Sequence, residues 1–504
     1  MNQDPERTPV IVGVGQINDR PDDPLKGLDS GGLMVAALKQ ADEDAGGGWL
    51  ADADSLAIVS QLSFPHLNPL LESVAQGTGM SPEHAFQTAM PNGDSPILLL
   101  NQAANRIGAG EGTICCVVGA EALRTAGALA KAAAAKAGSD KPHNALRDAA
   151  HRVKKGYRQT YGLTVPVDVY PLYENAGRAS YGQTVSEAQA ESGAIWSGFS
   201  KVAADNPAAW IHQSRTAEEI VTPDGNNRPI AYPYTKLQVA NSSVNQGAGF
   251  IVTSLAEARR RGLSDDRIIY VGMGAAAHES DDFLERDTFA ASPSMEVSIK
   301  RAMKLNNVQT SDLDHVELYS CFPCVPKMAR RIIDWPLEKP ATVFGGLTFG
   351  GGPIGNYMSH AVASMVEKLR ATGGQGLLFA NGGYATHNHT ILVSSDPIEA
   401  ASFPQDYDFQ AEANSARGPV PELDKSYSGP AEIETYTVHY RRDGTPRMGT
   451  IVARTPQGKR TLAMVPPDDI KTIAFLTNGE AEPVGTNGSV VMGSDEIAVW
   501  ERAA

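Results

Sequence analysis
Pro91-Asn-Gly-Asp-Ser-Pro96 runs directly into Ile97-Leu-Leu-Leu100 and, past Ile107-Gly108, into Thr113-Ile-Cys-Cys-Val-Val118. The stretch reads as a turn, a helix and a strand in succession. Pro91-Asn92-Gly93 is a turn signal, Asp94 or Ser95 offers a capping side chain, and Pro96 suits the first helical position. Ile97 to Leu100, Ala103, Ala104 and Ile107 make the helix apolar on nearly every side, which places it inside a large protein. Gly108 and Gly110 end it, and the strand that follows carries the continuous apolar run of a strand covered on both faces. A glycine turn that aims a buried helix N-terminus at one point can hold an anion or polarise a carbonyl.

Working outward, the same series occurs twice. Val10-Ile-Val-Gly-Val-Gly15, a helix over about 31–45, Asp52-Ala-Asp54 and the strand Ser55–Ser60 precede the turn. Ile268-Ile-Tyr-Val-Gly-Met-Gly274, a helix over about 294–305, Asp312-Leu-Asp314 and the strand His315–Tyr319 repeat the order. Gly352-Pro-Ile-Gly355 then supplies a second turn, 357–370 a helix, Gly373-Gly374 its stop and Gly376–Ala380 a strand. The offsets agree: 352 − 93 and 272 − 13 are both 259, and 314 − 54 is 260. Strands alternating with helices predict parallel or mixed sheets buried on both faces.

Between the halves, 120–233 reads as an irregular insertion. It holds an Ala-rich helix near 126–137, a basic cluster (Arg152, Lys154, Lys155, Arg158) and a tyrosine-rich stretch from Tyr157 to Tyr181. Such an insertion over sheet ends is a natural ligand cover. The cluster reads as a solvated helix face, with phosphate contact as the alternative. Residues 397–430 read as a linker. Short strands at Glu434–Arg441, Gly449–Arg454 and Arg460–Val465, with turns at Asp443-Gly444 and Gln457-Gly458, make 431–504 a small antiparallel β-barrel of five or six strands. The expected units are 1–119 with 234–260, 120–233, 261–396, 397–430 and 431–504.

The 504 residues suffice for several domain-sized units, and a net charge of -15 with pI near 5.2 argues against general nucleic-acid or acidic-membrane binding, while leaving room for a local basic pocket for a phosphorylated ligand. Four cysteines form no disulfide framework, so a reducing interior is expected. The start lacks a signal-peptide pattern and no apolar run reaches the roughly 20 residues of a membrane span. The expectation is a cytoplasmic protein.

The duplicated halves, the insertion after the first glycine strand and Ile107-Gly-Ala-Gly-Glu-Gly112 resemble the thiolase superfamily over roughly 8–395. Glu317-Leu-Tyr-Ser-Cys-Phe322 is similar to the catalytic segment Glu-Leu-His-Asp-Cys-Phe of sterol-carrier-protein-linked thiolases. Asn245-Gln-Gly-Ala-Gly249 resembles the thiolase segment Asn-Asp-Gly-Ala-Ala. With the appended barrel, the pattern is most similar to the mycobacterial thiolase-like proteins of type 1, often described as acetyl-coenzyme A acetyltransferases. The resemblance implies a five-layered αβαβα fold, a link to lipid metabolism, and coenzyme A or an acyl-coenzyme A thioester as ligand, with no covalently bound cofactor. Thiolase habit implies a homodimer, the degenerate pattern leaves a monomer open, and the barrel could dock a protein partner.

Laid over this sequence, the family's catalytic positions are vacated. The cysteine nucleophile that a helix dipole would hold as thiolate falls on Gly93. The histidine of Gly-His-Pro-x-Gly falls on Gly352, the second cysteine on Ala380 in Ala380-Asn-Gly382, and the fourth group on Tyr319. Thiolysis and Claisen condensation through an acyl-cysteine are therefore expected to be absent. Ser242 matches a serine that contacts pantetheine, and Gly382 and Gly383 fall in the glycine segment beside the ligand.

Other groups have plainer readings. Ser95 lacks Gly-x-Ser-x-Gly surroundings and reads as a cap. Cys321 and Cys324, a lone Cys-x-x-Cys, read as buried thiols rather than zinc or redox groups, and Cys115 and Cys116 as core. His387 and His389 alternate on one strand face and would need a carboxylate to hold a metal, so no metal is expected. Tyr357 and His360 share a helix face and read as packing. Tyr319 is the one replacement with chemistry of its own, since a phenol donates a hydrogen bond or relays a proton if its pKa is lowered. Steroid side-chain aldolases resemble this subfamily and use tyrosines in such a pocket, although Phe349 stands where their second would fall. Three expectations result: an acyl-coenzyme A-binding thiolase homologue without thiolase catalysis, a carbon–carbon lyase using Tyr319, or a non-catalytic assembly subunit.

Overall fold
The computed structural model describes residues 4–138, 156–494 and 496–502; Arg152, Lys154 and Lys155 of the basic cluster lie outside them. Nine strands form one mixed sheet: β1 (Pro9–Asn18), β2 (Ser55–Ile58), β3 (His84–Gln87), β4 (Ile114–Ala122), β5 (Asn245–Ser254), β6 (Ile269–His278), β7 (His315–Leu318), β8 (Gln375–Gly382) and β9 (His387–Ser394). Their order is β3-β2-β4-β5-β1-β6-β9-β8-β7. The first half, read outward from β1 as β1-β5-β4-β2, is mirrored by β6-β9-β8-β7, and the halves meet where Val10 and Ile11 pair with Tyr270 and Ile269. The duplication read from the glycines is therefore a pseudo-twofold arrangement, with β3 as the one strand lacking a counterpart.

The two helices behind the glycine turns, Ser95–Ala109 and Tyr357–Thr372, pack on each other and on strands of both halves. Helix Ser30–Asp44 covers the outer face of the first half and Pro293–Leu305 that of the second, which completes the αβαβα layering. Period-two alternation sorts the strand side chains between layers. Ile11, Cys115 and Val117 join the central cluster, while Val10, Val12, Cys116 and Val118 join the outer one; the register shift between Ile11 and Gly13 puts Val14 on the side of Ile11. Burying side chains on both faces explains why these strands are apolar at consecutive positions.

The insertion is more regular than its composition suggests. Pro166–Ser180, Val185–Asp205 and Ala217–Val221 are helices, and the last two start at Thr184 and Thr216, whose hydroxyls accept from the third backbone N–H of each helix. Lys327 of helix Cys324–Ile332 pairs with Glu174 in the interior and donates to Ala188 O at 2.7 Å, while Tyr234 donates to the same carboxylate at 2.9 Å.

The C-terminal module is a closed five-stranded barrel of β10 (Gly429–Tyr440), β11 (Pro446–Arg454), β12 (Arg460–Val465), β13 (Asn487–Met492) and β14 (Ala498–Arg502). Four seams are antiparallel, but β12 and β14 meet in parallel at Met464 and Val499. The helix Ile470–Thr477 carries the chain across before β13 turns back into β14, so β14 returns in the direction of β12. The barrel is bound to the body by buried polar contacts. Thr435 donates to Leu172 O at 2.6 Å, Asn175 to Tyr436 O at 2.9 Å, Thr450 to Tyr161 O at 2.6 Å, and Arg178 reaches both Tyr436 Oη and Glu482. Arg460, fully buried, bonds Glu434 and the carbonyl of Arg286. Residues 397–430 run along the body: Ala276 donates to Tyr407 O, Phe409 to Ala276 O, and Asn105 to Gln405 O.

Candidate functional site
The turn before the first central helix is closed on itself. Gly93 N donates to Asn92 Oδ1 at 3.0 Å, Ser95 N to Asn92 O at 3.0 Å, and Asn92 N to Ser95 Oγ at 3.2 Å. Asp94 occupies the cap position with helical backbone angles and makes no capping bond, and the Ser95 hydroxyl locks the turn instead of a helix N–H. Both side chains thus depart from the capping expected of them: the Ser95 hydroxyl accepts from Asn92 N, and Asp94 makes no capping bond. Burial pushes the Asp94 carboxyl up to about 6.

Tyr319 and Asn381 fill the space a side chain on Gly93 would need. A Cβ built there would overlap Asn381 O and the Tyr319 hydroxyl, and would lie 2.7 Å from Tyr319 Cζ. Asn381 is fixed from behind by Tyr170 Oη, which donates to its Oδ1 at 3.2 Å, and by Asn388, whose Oδ1 accepts from Asn381 Nδ2 at 2.9 Å. Gly382 lies against Asn92, with its Cβ position overlapping Asn92 Oδ1 and 3.0 Å from Gly93 N. Gly383, at φ +65, leads into Thr386, and Ala380 is buried within β8. Gly93, Tyr319, Asn381 and Gly382 thus converge on one point.

Tyr319 is 5% exposed and its hydroxyl has no hydrogen-bond partner among the described residues. Burial, with Cys321 and Asp94 adding to it, holds the phenol well above its ordinary range, so it stays protonated. That is the opposite of the lowered pKa a tyrosine base requires, and leaves donation as its available role. Tyr357 stands edge-on to Tyr319 with ring centroids 5.6 Å apart. Its hydroxyl is committed, donating to Glu317 Oε1 at 2.6 Å. Glu317 also accepts from Thr342 Oγ1 and Val343 N, each at 2.8 Å, yet burial lifts its carboxyl to about 7. Burial also lifts the Cys321 thiol to about 12, so it stays protonated.

The second turn is roomier. Gly352 N donates to Asn241 O at 2.8 Å, and a Cβ on Gly352 would meet nothing closer than that oxygen, at 3.2 Å. Ser242, half-buried, follows Asn241, and its hydroxyl has no intramolecular partner among the described residues. Ile354 holds φ +47, a costly conformation for a β-branched residue that marks local constraint. The two turns touch: a Cβ on Gly355 would come 2.8 Å from Asn92 N, and Asn356 donates to Gly119 O at 2.5 Å. Gln246 ties the segment down by donating to Gly350 O at 2.9 Å and Asn18 Oδ1 at 2.8 Å.

The histidines go to separate places. His387 Nδ1 meets His278 Nδ1 at 2.9 Å, whereas His389 meets Asn101 Oδ1 at 3.1 Å, and no group of three potential ligands for a metal ion occurs among the described residues. His360 is buried against Phe344 and bonded to Gln16. Burial pushes both His360 and His389 down to about 3. Sequence reasoning did not single out Asn92, Asn381, Tyr170 or the Glu317 carboxyl. For Asn92 a signal existed, since an Asn before a glycine in a turn commonly folds its side chain onto nearby amides.

No helix of the described residues is long and apolar enough to cross a membrane. Residues 410–495 match the model of the thiolase-like protein type 1 additional C-terminal domain. An acetyl-CoA acetyltransferase from Methanocaldococcus jannaschii is 24% identical over 252 residues, 49% of this chain and 56% of the relative, so the chain spans little more than half that relative's length. The solved structures that share the fold include the Ltp2-ChsH2(DUF35) aldolase (TM-score 0.57, 19% identity, 78% of this chain and 99% of that one) and human mitochondrial 3-ketoacyl-CoA thiolase in complex with CoA (0.57, 16%, 78% and 99%). A monomeric SCP2-thiolase-like protein type 1 from Mycobacterium smegmatis superposes with a TM-score of 0.82 at 30% identity, covering 99% of each chain. Identity of that level along both whole chains means that this protein belongs to the SCP2-thiolase-like protein type 1 family.

Proposed function
We propose that the protein binds an acyl-coenzyme A thioester in the thiolase manner and does not carry out thiolysis or Claisen condensation. The observation that carries this reading is the closed turn at Gly93. No side chain stands there to attack a thioester, the space is taken by Tyr319 and Asn381, and the Gly93 amide is already bonded to Asn92. An acyl-cysteine route needs a nucleophile and a free donor for the oxyanion, and this turn supplies neither. Ligand binding is supported by the half-buried Ser242 beside Gly352 and by the CoA complex of a protein with the same fold.

Calorimetric titration with coenzyme A and acetoacetyl-coenzyme A, run beside a thiolysis assay, tests both halves of the reading. Micromolar binding without turnover is the expected result. Fast thiolysis would overturn the assignment of the nucleophile position, and no binding would overturn the ligand. A second reading, lyase chemistry on a coenzyme A ester, rests on the Tyr319 hydroxyl, which is protonated and without a partner among the described residues. It requires an activity that Tyr319→Phe removes.

A further inference from the structure
We propose that a second binding site, for a small anion carrying an apolar body, lies between helix Val185–Asp205 and the segment 335–341. A cleft of about 500 Å³ opens there, within the size range of small-molecule sites. Its helix wall is the row Ala194, Gly198 and Lys201, spaced four and three residues apart and so on one face. The other face of the same helix packs inward, where Phe199 and Ala203 lie against Gly346 and Gly345. The cleft is thus outside the layer that holds the vacated turn.

Its charge runs against that of the molecule. In a chain of net charge -15, the lining carries Lys201, Arg330 and Lys339 against the single carboxylate of Glu338. Lys201 and Lys339 have no ion-pair partner among the described residues; Lys339 rests over the Trp335 ring, 5.0 Å from its centroid. Arg330 shares the Glu191 carboxylate with Arg331, so two guanidiniums face one counter-charge, and Arg330 Nε is buried without a hydrogen-bond acceptor. A buried N–H without an acceptor is costly unless something supplies one. Ile195 and Leu337 give the same cleft an apolar wall. Cations and aliphatic surface lining one cleft match a carboxylate or phosphate on a short hydrocarbon body.

Gly198 makes the test clean. It lines the cleft, its φ lies outside the left-handed region, and a Cβ built on it meets nothing within 4 Å. In a helix interior Gly is roughly 1 kcal/mol less favourable than Ala and Trp lies between the two, so Gly198→Trp fills the cleft without breaking the helix. Titrations of the full chain with octanoate, octyl phosphate, octanol and inorganic phosphate separate head from body. One molecule of octanoate or octyl phosphate per chain is expected, with octanol and inorganic phosphate each roughly tenfold weaker or more. Gly198→Trp abolishes this binding, and Lys201→Glu with Lys339→Glu, both at exposed positions, weakens it about tenfold while leaving the melting temperature unchanged. The preferred head group between octanoate and octyl phosphate identifies the ligand's anion. Octanol or phosphate binding as tightly as the amphiphiles, unaltered binding in Gly198→Trp, or no binding at all would each overturn the site. Coenzyme A titration of Gly198→Trp should match the unaltered protein, which keeps this result separate from that of the ester-binding pocket.

Discussion
The two glycine turns descend from one pattern and have met different ends. Around Gly93 the vacancy is filled: a backbone carbonyl and a phenol occupy the side-chain space, and Asn92 occupies the amide. Around Gly352 the vacancy is left open, with Asn241 O the nearest atom at 3.2 Å from a Cβ. Two glycines at equivalent turns thus sit in different surroundings. A side chain at the first could be accommodated only by moving backbone, whereas one at the second meets a single close contact.

The largest expected effect follows from the first turn. Gly93→Cys drives Cβ into Asn381 O, which belongs to β8 and cannot swing aside, and it should cost about 3 kcal/mol or more by denaturant titration without restoring thiolysis. Shortening the phenol as well, in Gly93→Cys with Tyr319→Ala, relieves only the side-chain part of the clash. A double-mutant cycle should show favourable coupling of about 1–2 kcal/mol. A stable, active Gly93→Cys would mean that the first turn is as open as the second.

Glu317 sharpens the comparison, because its carboxylate holds Tyr357 at the start of the second central helix, while the residue at the same offset of 260 in the first half is Ala57. Its folded pKa of about 7 is above the ordinary value, so the native state keeps a proton that the unfolded chain has released. Stability associated with this group is complete below about pH 4 and is lost as pH rises through 7, by at most about 1.4 kcal/mol per unit. Glu317→Gln cannot titrate, so its stability relative to the unaltered protein should improve between pH 4.5 and 8 in urea titrations (about 1–3 kcal/mol across the window). A flat difference would mean that Glu317 is ionised throughout. His360 and His389, pushed down to about 3, slope the other way: their contribution is present above about pH 6.5 and lost as pH falls toward 3, so single-site differences are the informative ones.

Tyr319→Phe is expected to change stability by less than about 1 kcal/mol, since no described residue bonds its hydroxyl while the ring fills the space over Gly93. Unchanged coenzyme A ester binding in this variant would assign Tyr319 to packing, whereas loss of a measurable turnover would make the phenol a donor in chemistry.

How much of this was legible in the sequence follows from the range of the forces involved. Glycines at 13, 93, 272 and 352 encode turns and close approaches, which are local, and their common offset exposed the duplication and the order of elements along each half. Asn381 and Tyr170 were not legible as a plug, because they meet Gly93 and each other only when segments some 290 and 210 residues apart come together. Composition misjudged 120–233 for a related reason. Its helices are held by partners such as Lys327 for Glu174 and Tyr436 for Asn175, which lie in other segments. The parallel barrel seam at Met464 and Val499 likewise follows from the crossover helix Ile470–Thr477, and not from any strand pattern.

The smallest effect is expected at the second turn, and it decides the comparison. Gly352 has ordinary backbone angles, and a methyl group there meets Asn241 O at a distance a few tenths of an ångström of movement relieves. Gly352→Ala should therefore shift stability by no more than about 0.5–1 kcal/mol in either direction, because lost chain entropy in the unfolded state offsets the contact. Gly352→His adds an imidazole at the same backbone position, beside Asn241. If it leaves thiolysis absent while Gly352→Ala stays folded, the closed first turn alone accounts for the missing chemistry. If Gly352→Ala instead unfolds the protein, the strain at Ile354 (φ +47) would be transmitted through the turn, and the second vacancy would be as fixed in its surroundings as the first.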